Sequence, residues 1–216
     1  MIIKANPFPF SLMVFIGKIL IWLLKRRFKK IVVHPMDGAS LDSSYIFMSN
    51  HFSFLDGFIA GYLLKRELYD KEALKGVYIM VLEKQIQQNK WITKFGGFSV
   101  APGTDSVKES LAYAAEILSQ PGNVLLLYPQ GKIESNHVDY INIRNGINEI
   151  VPQIKGSCQL LWSTNLIDYY EGIKPSLYCH LLNCGTNADF DFEKLKKKIN
   201  EHHTQALRKQ IRFPKN

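Results

Sequence analysis

The hydrophobic pattern from residue 31 onward alternates between short β-rich runs and stretches with helical spacing. The β-rich runs predict strands at residues 45–49, 98–101, 124–128, 157–162 and 176–182. Strands alternating with helices are typical of an α/β domain. A chain of 216 residues with 46% hydrophobic content can bury one substantial core but is short for two. We therefore predict a single α/β domain with a mixed central β-sheet flanked by helices.

Two helices stand out in the same pattern. The first follows the predicted strand at residues 98–101, where Ser106 and Glu109 have the spacing of a capping box and residues 121–123 form a stop signal. The second covers residues 190–213 and has a Lys/Arg-rich outer face. Its apolar residues recur at helical spacings and predict a buried face: Phe192, Leu195, Ile199 and Ala206.

The amino-terminal segment is apolar and ends in a basic run. Residues 8–24 hold thirteen apolar residues, and five of the next six residues are Lys or Arg. A cleaved signal peptide is disfavoured because the strong charge follows the apolar run. A membrane span needs about 20 apolar residues, and Lys18 lies near the middle of this shorter stretch. The pattern favours a helix lying in the membrane interface, although a buried core helix also fits the length.

Charge is distributed unevenly along the chain, which has a formal net charge of +8. Residues 1–30 carry seven basic and no acidic residues, residues 31–188 carry twelve basic and fifteen acidic, and residues 189–216 carry eight basic and four acidic. A slightly acidic body argues against a nucleic-acid-binding domain. We predict a membrane-associating segment at 1–30, whose deletion yields a soluble protein, a catalytic domain at 31–188 and a basic amphipathic helix at 189–216.

Cysteine and histidine spacing limits the redox and metal chemistry. The three cysteines are Cys158, Cys179 and Cys184, an odd number without C-x-x-C spacing. This usage indicates reduced thiols and a cytosolic compartment. The six histidines lack the spacing of zinc ligands, so no metal site is predicted.

The stretch at residues 45–57 carries the candidate chemistry, because an apolar strand runs there into a polar turn. His51 is the first ionisable residue after the strand, and Asp56 follows five residues later. The carboxylate can accept a hydrogen bond from one imidazole nitrogen and leave the other free as a base, which fixes the tautomer and stabilises the imidazolium. Taken alone, the spacing also fits a core histidine or a turn cap.

The order of the sequence motifs supports a catalytic role for His51 and Asp56. Asn50-His51 followed by Asp56 resembles the first motif of the glycerolipid acyltransferase family, the lysophosphatidic acid acyltransferases and their relatives. Residues 96–102 are similar to the second block of that family, which ends in Asp-Arg. Residues 127–135 are similar to the third, Phe-Pro-Glu-Gly-Thr-Arg-Ser, and residues 144–146 resemble the basic-Gly segment that follows it.

The resemblance implies an α/β fold, a monotopic or peripheral position on the cytoplasmic face of the membrane, and direct acyl transfer. The donor would be acyl-CoA or acyl carrier protein, the acceptor a membrane lipid, and no further cofactor is needed. His51 would act as general base and Asp56 as its orienting carboxylate. The absence of a G-x-S-x-G elbow agrees with attack by the acceptor itself.

The third block would lie opposite His51 and stabilise developing charge on the thioester oxygen. Backbone N–H groups around Gly131, together with Lys132, are the expected donors. A strand-ending turn without catalytic function is the alternative interpretation of this Pro-Gln-Gly stretch. We assign substrate binding to five residues of the first and third blocks: Asn50, Ser53, Gln130, Gly131 and Lys132.

The chain departs from the family pattern in both later blocks. The Asp and Arg of the second block fall at Ala101 and Pro102, and the Glu and Arg of the third fall at Gln130 and Ile133. Two guanidinium groups suited to phosphate are therefore missing, so lysophosphatidate is disfavoured as acceptor. An aminolipid, a glycolipid or a pigment-like alcohol fits better. The competing functions are a non-catalytic lipid- or partner-binding member of the same fold and a thioesterase.

Overall fold

A computed structural model describes residues 2–36, 38, 40–169 and 172–210. Within these residues the chain forms seven strands, six α-helices and three short 3-10 helices. The strands are β1 Lys30–His34, β2 Ser44–Ser49, β3 Gly76–Leu82, β4 Gly97–Val100, β5 Asn123–Leu127, β6 Cys158–Asp168 and β7 Ser176–Thr186. The α-helices are α1 Phe10–Arg27, α2 Asp56–Glu67, α3 Glu83–Gln88, α4 Ser106–Leu118, α5 Gly146–Ile150 and α6 Phe192–Gln210. The 3-10 helices are Tyr69–Lys71, Lys90–Phe95 and Val151–Gln153.

The strands form one mixed sheet in the order β1-β7-β6-β2-β5-β3-β4. Strands β6, β2, β5, β3 and β4 are mutually parallel, β6 and β7 pair antiparallel, and β1 pairs parallel with β7. After β2 the chain crosses to β3 on one side and later returns to β6 on the other. Strand β2 is therefore the point where the chain changes direction across the sheet, and in α/β folds ligands bind beyond the carboxyl ends of strands at such a point.

Each face of the sheet is covered by helices, because the strands alternate their side chains between two cores. Ile46 and Met48 of β2 face α4, α5 and α6, while Tyr45 and Phe47 face α1 and α2. Nearly the whole of β2 is buried on both faces, as expected for a parallel strand between helix layers. The predicted α/β class and the mixed central sheet flanked by helices are confirmed.

The five predicted strands all exist, with shifted ends, but β1 and β3 were missed. Strand β3 is a continuous apolar run without alternation, which a helix segment matches equally well. Strand β1 follows directly on the basic run, whose charges obscured it. Strand β6 is longer than expected, extending to Asp168.

The two predicted helices also exist with different ends. Helix α4 has Asp105 at its N-cap, with no side-chain capping hydrogen bond, so the capping box expected from Ser106 and Glu109 is not how it begins. The Ser106 hydroxyl instead contacts the Thr104 hydroxyl at 2.8 Å. Helix α6 ends at Gln210 in the described residues, and residues 211–213 of the prediction lie outside them.

Helix α1 is the amino-terminal helix expected from the apolar run. Leu24 and the following Phe28 are buried in the core it shares with α2. Its other side leaves large apolar residues exposed along one stripe: Leu12, Phe15, Ile19, Trp22 and Leu23. None of the described helices has both the length and the apolar content for a membrane crossing.

The residues on both sides of α1 form hydrogen bonds with segments that adjoin the sheet. Before it, the N–H groups of Asn6 and Phe8 donate to carbonyls of the Lys90–Phe95 helix at 3.0 and 2.9 Å. After it, Lys29 N–H donates to Pro175 O at 2.8 Å, and β1 begins at the next residue. The predicted domain boundary after residue 30 therefore falls inside β1.

Candidate active site

The first and third sequence blocks meet because β2 and β5 are parallel neighbours. Met48 of β2 lies opposite Leu127 of β5 in the register. The turns that follow both strands consequently leave the sheet at the same edge and side by side. We call residues 50–56 the catalytic turn and residues 128–134 the facing turn.

The catalytic turn brings His51 and Asp56 into direct contact. His51 Nδ1 lies 2.7 Å from Asp56 Oδ2. The Asp56 side chain is 1% exposed, whereas that of His51 is 24% exposed. A carboxylate accepts, so the ring donates from Nδ1 and its Nε2 remains available as a base. The structure thus brings together the two residues predicted to be catalytic.

Asp56 also holds the shape of the catalytic turn. Its Oδ2 accepts the backbone N–H groups of Phe52 at 2.8 Å and Ser53 at 2.9 Å, in addition to the histidine ring. The Ser53 hydroxyl accepts the Leu55 N–H at 3.1 Å. The carboxylate at the start of α2 therefore fixes both the backbone and the imidazole, as expected for an orienting group.

Asn50 anchors the turn to β6. Its Nδ2 donates to Asn165 O at 2.9 Å, and its Oδ1 accepts the Asn165 N–H at 2.8 Å. The side chain is buried and both ends of its amide are engaged with the neighbouring strand. This arrangement gives Asn50 a structural role, and its contact with substrate stays a prediction.

Tyr128 supports the other face of the imidazole, and sequence reasoning missed this residue. Its ring stacks on that of His51 with centroids 4.4 Å apart and an interplanar angle of 20°. Burial and then the charge of Asp56 hold the pKa of the tyrosine well above its usual range. The hydroxyl is buried and has no hydrogen-bond partner among the described residues. The signal that could have found it is its position directly after the strand that precedes the facing turn.

Gln130 links the facing turn to the catalytic turn through a hydrogen bond with the backbone of His51. Its Oε1 accepts the His51 N–H at 2.7 Å, and its Nε2 donates to Glu134 Oε2. Glu134 in turn donates its N–H to His51 O at 2.8 Å. Gln130 is 3% exposed, so its amide is enclosed between these partners. Its predicted role in binding substrate stays a prediction, and the geometry shows a positioning role.

Glu134 forms an ion pair with Lys132, the lysine of the facing turn. Lys132 Nζ lies 3.0 Å from Glu134 Oε1, although the lysine is largely exposed. The hydrogen bond from the Gln130 side chain, followed by the contacts with Lys132, lowers the pKa of Glu134 below its usual value. Lys132 is therefore a paired cation and only partly available to a ligand.

Gly131 shapes the facing turn, and its predicted role in binding substrate stays a prediction. Its N–H closes a turn on Tyr128 O at 3.0 Å, so this donor is committed within the protein. Its φ is +66°, and a Cβ there would lie 2.7 Å from Cζ and Nε of Arg144. Glycine is required both for the left-handed conformation and for the close approach of this guanidinium. The expected oxyanion donor is then the N–H of Lys132, which donates to no other described residue.

A groove of about 430 Å³ lies beside the catalytic turn. Ser53 and Phe52 form one wall, and Arg27 at the end of α1 and Tyr169 beyond β6 also line it. It connects the exposed amino-terminal helix with the catalytic turn. A larger groove of about 540 Å³ lies along α6 and contains none of the predicted site residues.

The cysteines are not arranged as nucleophiles. All three are free of disulfides and lie in β6 and β7. Burial raises the pKa of the Cys158 thiol to about 11 and that of Cys184 to about 12, so both are neutral thiols near pH 7.

Comparison with known proteins identifies the family. Residues 30–169 match the family model named Acyltransferase, a span that includes both turns. No curated protein matches the sequence. The fold is similar to that of the 1-acyl-sn-glycerophosphate (LPA) acyltransferase PlsC from Thermotoga maritima, with a TM-score of 0.59 and 17% identity over 94% of this chain and 83% of that one. The family resemblance is confirmed: the chain belongs to the acyltransferase family and is an acyltransferase.

Proposed function

We propose that the protein transfers an acyl chain from acyl-CoA or acyl carrier protein to a lipid-like hydroxyl or amine at a membrane surface. The observation that carries the proposal is the His51 Nδ1 to Asp56 Oδ2 contact of 2.7 Å, with Nε2 left as the free nitrogen of the ring. This arrangement supports general-base activation of an acceptor and needs no covalent intermediate on the protein.

The proposed reaction proceeds in two stages. His51 Nε2 takes the proton of the acceptor hydroxyl or amine as that atom attacks the thioester carbonyl, which gives a tetrahedral intermediate. The carbon–sulfur bond then breaks, the carbonyl re-forms, and the imidazolium returns the proton to the departing thiolate. Asp56 stabilises the imidazolium between the two stages, and the stacked Tyr128 restricts the rotation of the His51 ring.

The facing turn supplies the proposed oxyanion donor. Negative charge develops on the thioester oxygen in the tetrahedral intermediate and needs a preorganised donor. The Lys132 N–H donates to no described residue, as is also true of the N–H groups of Gln130 and Ile133, and the ammonium group of Lys132 adds positive charge nearby. Both are held in place by Gln130 and Glu134, which bind the turn to the backbone of His51.

Helix α1 provides the proposed membrane contact. Its exposed apolar stripe is accompanied by Lys25, Arg26 and Arg27 in the last turn, which suits the interface of an anionic leaflet. Arg27 also lines the groove beside the catalytic turn, so a lipid acceptor can pass from the interface to Ser53 within one continuous surface. The unpaired cysteines support a cytosolic face.

The test is an acyl-transfer assay with acyl-CoA and acyl carrier protein as donors and a panel of lipid extracts as acceptors. A lipid product formed by the wild type and lost in His51→Ala supports the proposal. His34→Ala is the matched control, because His34 lies in β1 at the sheet edge, three strands from β2. Free fatty acid released at the same rate without any acceptor would identify a thioesterase, and no product with any donor would favour the non-catalytic alternative.

The membrane contact is tested by vesicle flotation. Substituting Phe15 and Trp22, which are 61% and 54% exposed, with glutamate should abolish binding to anionic vesicles. Substituting Tyr140, which is 57% exposed and lies beside α6, with glutamate is the control, because it is remote from α1. Equal flotation of the α1 variant and the wild type would remove the helix from the membrane contact.

A further inference from the structure

We propose that Arg144 is the phosphate-binding residue of the active site. The inference rests on the proposed function and names a chemical group that its substrate carries. The phosphate belongs either to the donor, whose phosphopantetheine arm ends in a phosphodiester in acyl carrier protein and in a pyrophosphate in acyl-CoA, or to a phosphorylated acceptor lipid. Arg144 can take this role although the chain has Pro102 and Ile133 at the two positions where the family pattern has arginines.

The position of the Arg144 guanidinium is the first argument. If Gly131 carried a Cβ, that atom would lie 2.7 Å from Cζ and from Nε of Arg144. The guanidinium therefore packs directly over the backbone of the facing turn. The backbone of Arg144 is fixed at the same turn, since its N–H donates to Pro129 O at 3.0 Å. The side chain therefore stands beside the residues that are bonded to His51.

The lack of a counter-charge is the second argument. Within the described residues no carboxylate pairs with the Arg144 guanidinium, whereas Lys132 of the same turn is paired with Glu134. Arg144 is exposed, so a ligand can reach it. Arg144 lies against the facing turn, and an anionic ligand can bind it without displacing an ion pair among the described residues.

Among anions, phosphate is the one that the substrates of the proposed reaction bring to this guanidinium. A guanidinium presents a planar fork of N–H donors that matches two oxygens of a phosphate, which an ammonium group does not. The glycine at position 131 removes the side chain that would otherwise cover this fork. Arg144 therefore places a guanidinium beside the facing turn, although it belongs to a later segment of the chain. The turn has no guanidinium of its own at Ile133, where the family pattern has an arginine.

The experiment measures KM for each substrate separately in wild type, Arg144→Gln and Arg144→Lys. We expect Arg144→Gln to raise the KM of the phosphate-bearing substrate about 10-fold with a smaller change in kcat, and Arg144→Lys to fall between. Arg208→Gln, an exposed arginine of α6, is the matched control. Retained thermal unfolding temperature separates a binding defect from misfolding.

The two sources of phosphate give different results. A raised KM for the donor, whatever the acceptor, places the donor phosphate on Arg144. A raised KM only for phosphorylated acceptors, with phosphate-free acceptors unaffected, places the acceptor phosphate there. KM values within about 2-fold of wild type for every substrate would overturn the proposal.

A second variant tests the contact itself. Gly131→Asn, which tolerates the positive φ and adds a Cβ, should displace the guanidinium and reproduce the KM defect, and combining it with Arg144→Gln should add little, because both act on one interaction. Additive effects would contradict the inference.

A binding measurement separates this proposal from the proposed function. Phosphopantetheine and lysophosphatidate are titrated by calorimetry onto His51→Ala and onto the same protein with Arg144→Gln. Binding to the first and about 10-fold weaker binding to the second supports Arg144 even if no acceptor is turned over. Equal affinity for both proteins counts against Arg144, whatever the activity.

Discussion

The two turns that meet at His51 differ in the contacts that hold them in shape. The imidazole and the backbone of the catalytic turn are held mainly by a local group, because Asp56 binds the His51 ring and two N–H groups of the same seven residues, while Asn50 anchors the turn to β6. The facing turn is held together by long-range partners: Gln130 reaches the backbone of His51, and Arg144 packs over Gly131 from a later segment.

The contrast explains why the chain keeps the first motif and varies the third. In the catalytic turn three hydrogen bonds converge on one oxygen of Asp56, so we expect little tolerance of a change at this residue. In the facing turn several residues can change together, provided that the contacts are restored. Gln130 beside Glu134 is such a pair, because a glutamate at 130 would place two carboxylates in contact.

The largest expected effect comes from breaking the catalytic turn. His51→Ala should lower kcat/KM at least about 100-fold because the base is lost. Asp56→Asn should be comparably severe, because a neutral amide oxygen accepts the three hydrogen bonds more weakly, its NH2 group takes the buried position of Oδ1 where no partner is described, and it no longer stabilises the imidazolium. Steady-state acyl transfer, with circular dichroism to confirm folding, measures both. Wild-type kcat/KM in His51→Ala would contradict the assignment of the base.

Breaking the facing turn should have the next largest effect. Gln130→Glu replaces the amide donor with a buried carboxylate against Glu134, and should lower stability by about 1–3 kcal/mol together with activity. The double variant Gln130→Glu, Glu134→Gln restores one donor and one acceptor. Urea unfolding should show most of the loss recovered, and no recovery would show that the two residues are not coupled.

A milder change tests the support between the turns. Tyr128→Phe keeps the ring stacked on His51 and removes a buried hydroxyl without a described partner. Activity should stay within about 2-fold and stability should be unchanged or higher by up to about 1 kcal/mol. Tyr128→Ala is the comparison, since it removes the stack. An activity loss in Tyr128→Phe as large as that in Tyr128→Ala would give the hydroxyl a role of its own.

The smallest expected effect is the acid sensitivity of the facing turn. Because the pKa of Glu134 is lowered in the folded protein, its ionised form favours folding, and that contribution is present above the ordinary value of 4.5 and lost as pH falls below it. The stability difference between wild type and Glu134→Gln should therefore shrink on acidification. Urea midpoints at pH 7 and pH 4 measure it, and a gap that widens would give the opposite sign.

The sequence revealed those parts of the molecule that depend on neighbours along the chain. His51 and Asp56 lie within one turn, and the strand before them is bounded by polar residues, so the pair could be predicted. The contacts of Gln130 with His51 and of Arg144 with Gly131 depend on the pairing of β2 with β5, which no local pattern encodes. Strand β3 was missed because its continuous apolar run lacks the alternation that marks a strand, and its residues are about equally half-buried on both faces.

The residues before α1 protect the open edge of the sheet. Strand β4 is the last strand on its side, and there Ser99 N–H donates to Ile3 O at 2.9 Å while the Ser99 hydroxyl accepts the Ile3 N–H at 2.8 Å. An uncovered edge strand is a template for pairing with other copies and for aggregation. Deleting residues 1–30 would uncover β4 and shorten β1 together, so we expect the truncated protein to self-associate rather than become soluble. Sedimentation of such a protein with vesicles would then report aggregates instead of lipid binding.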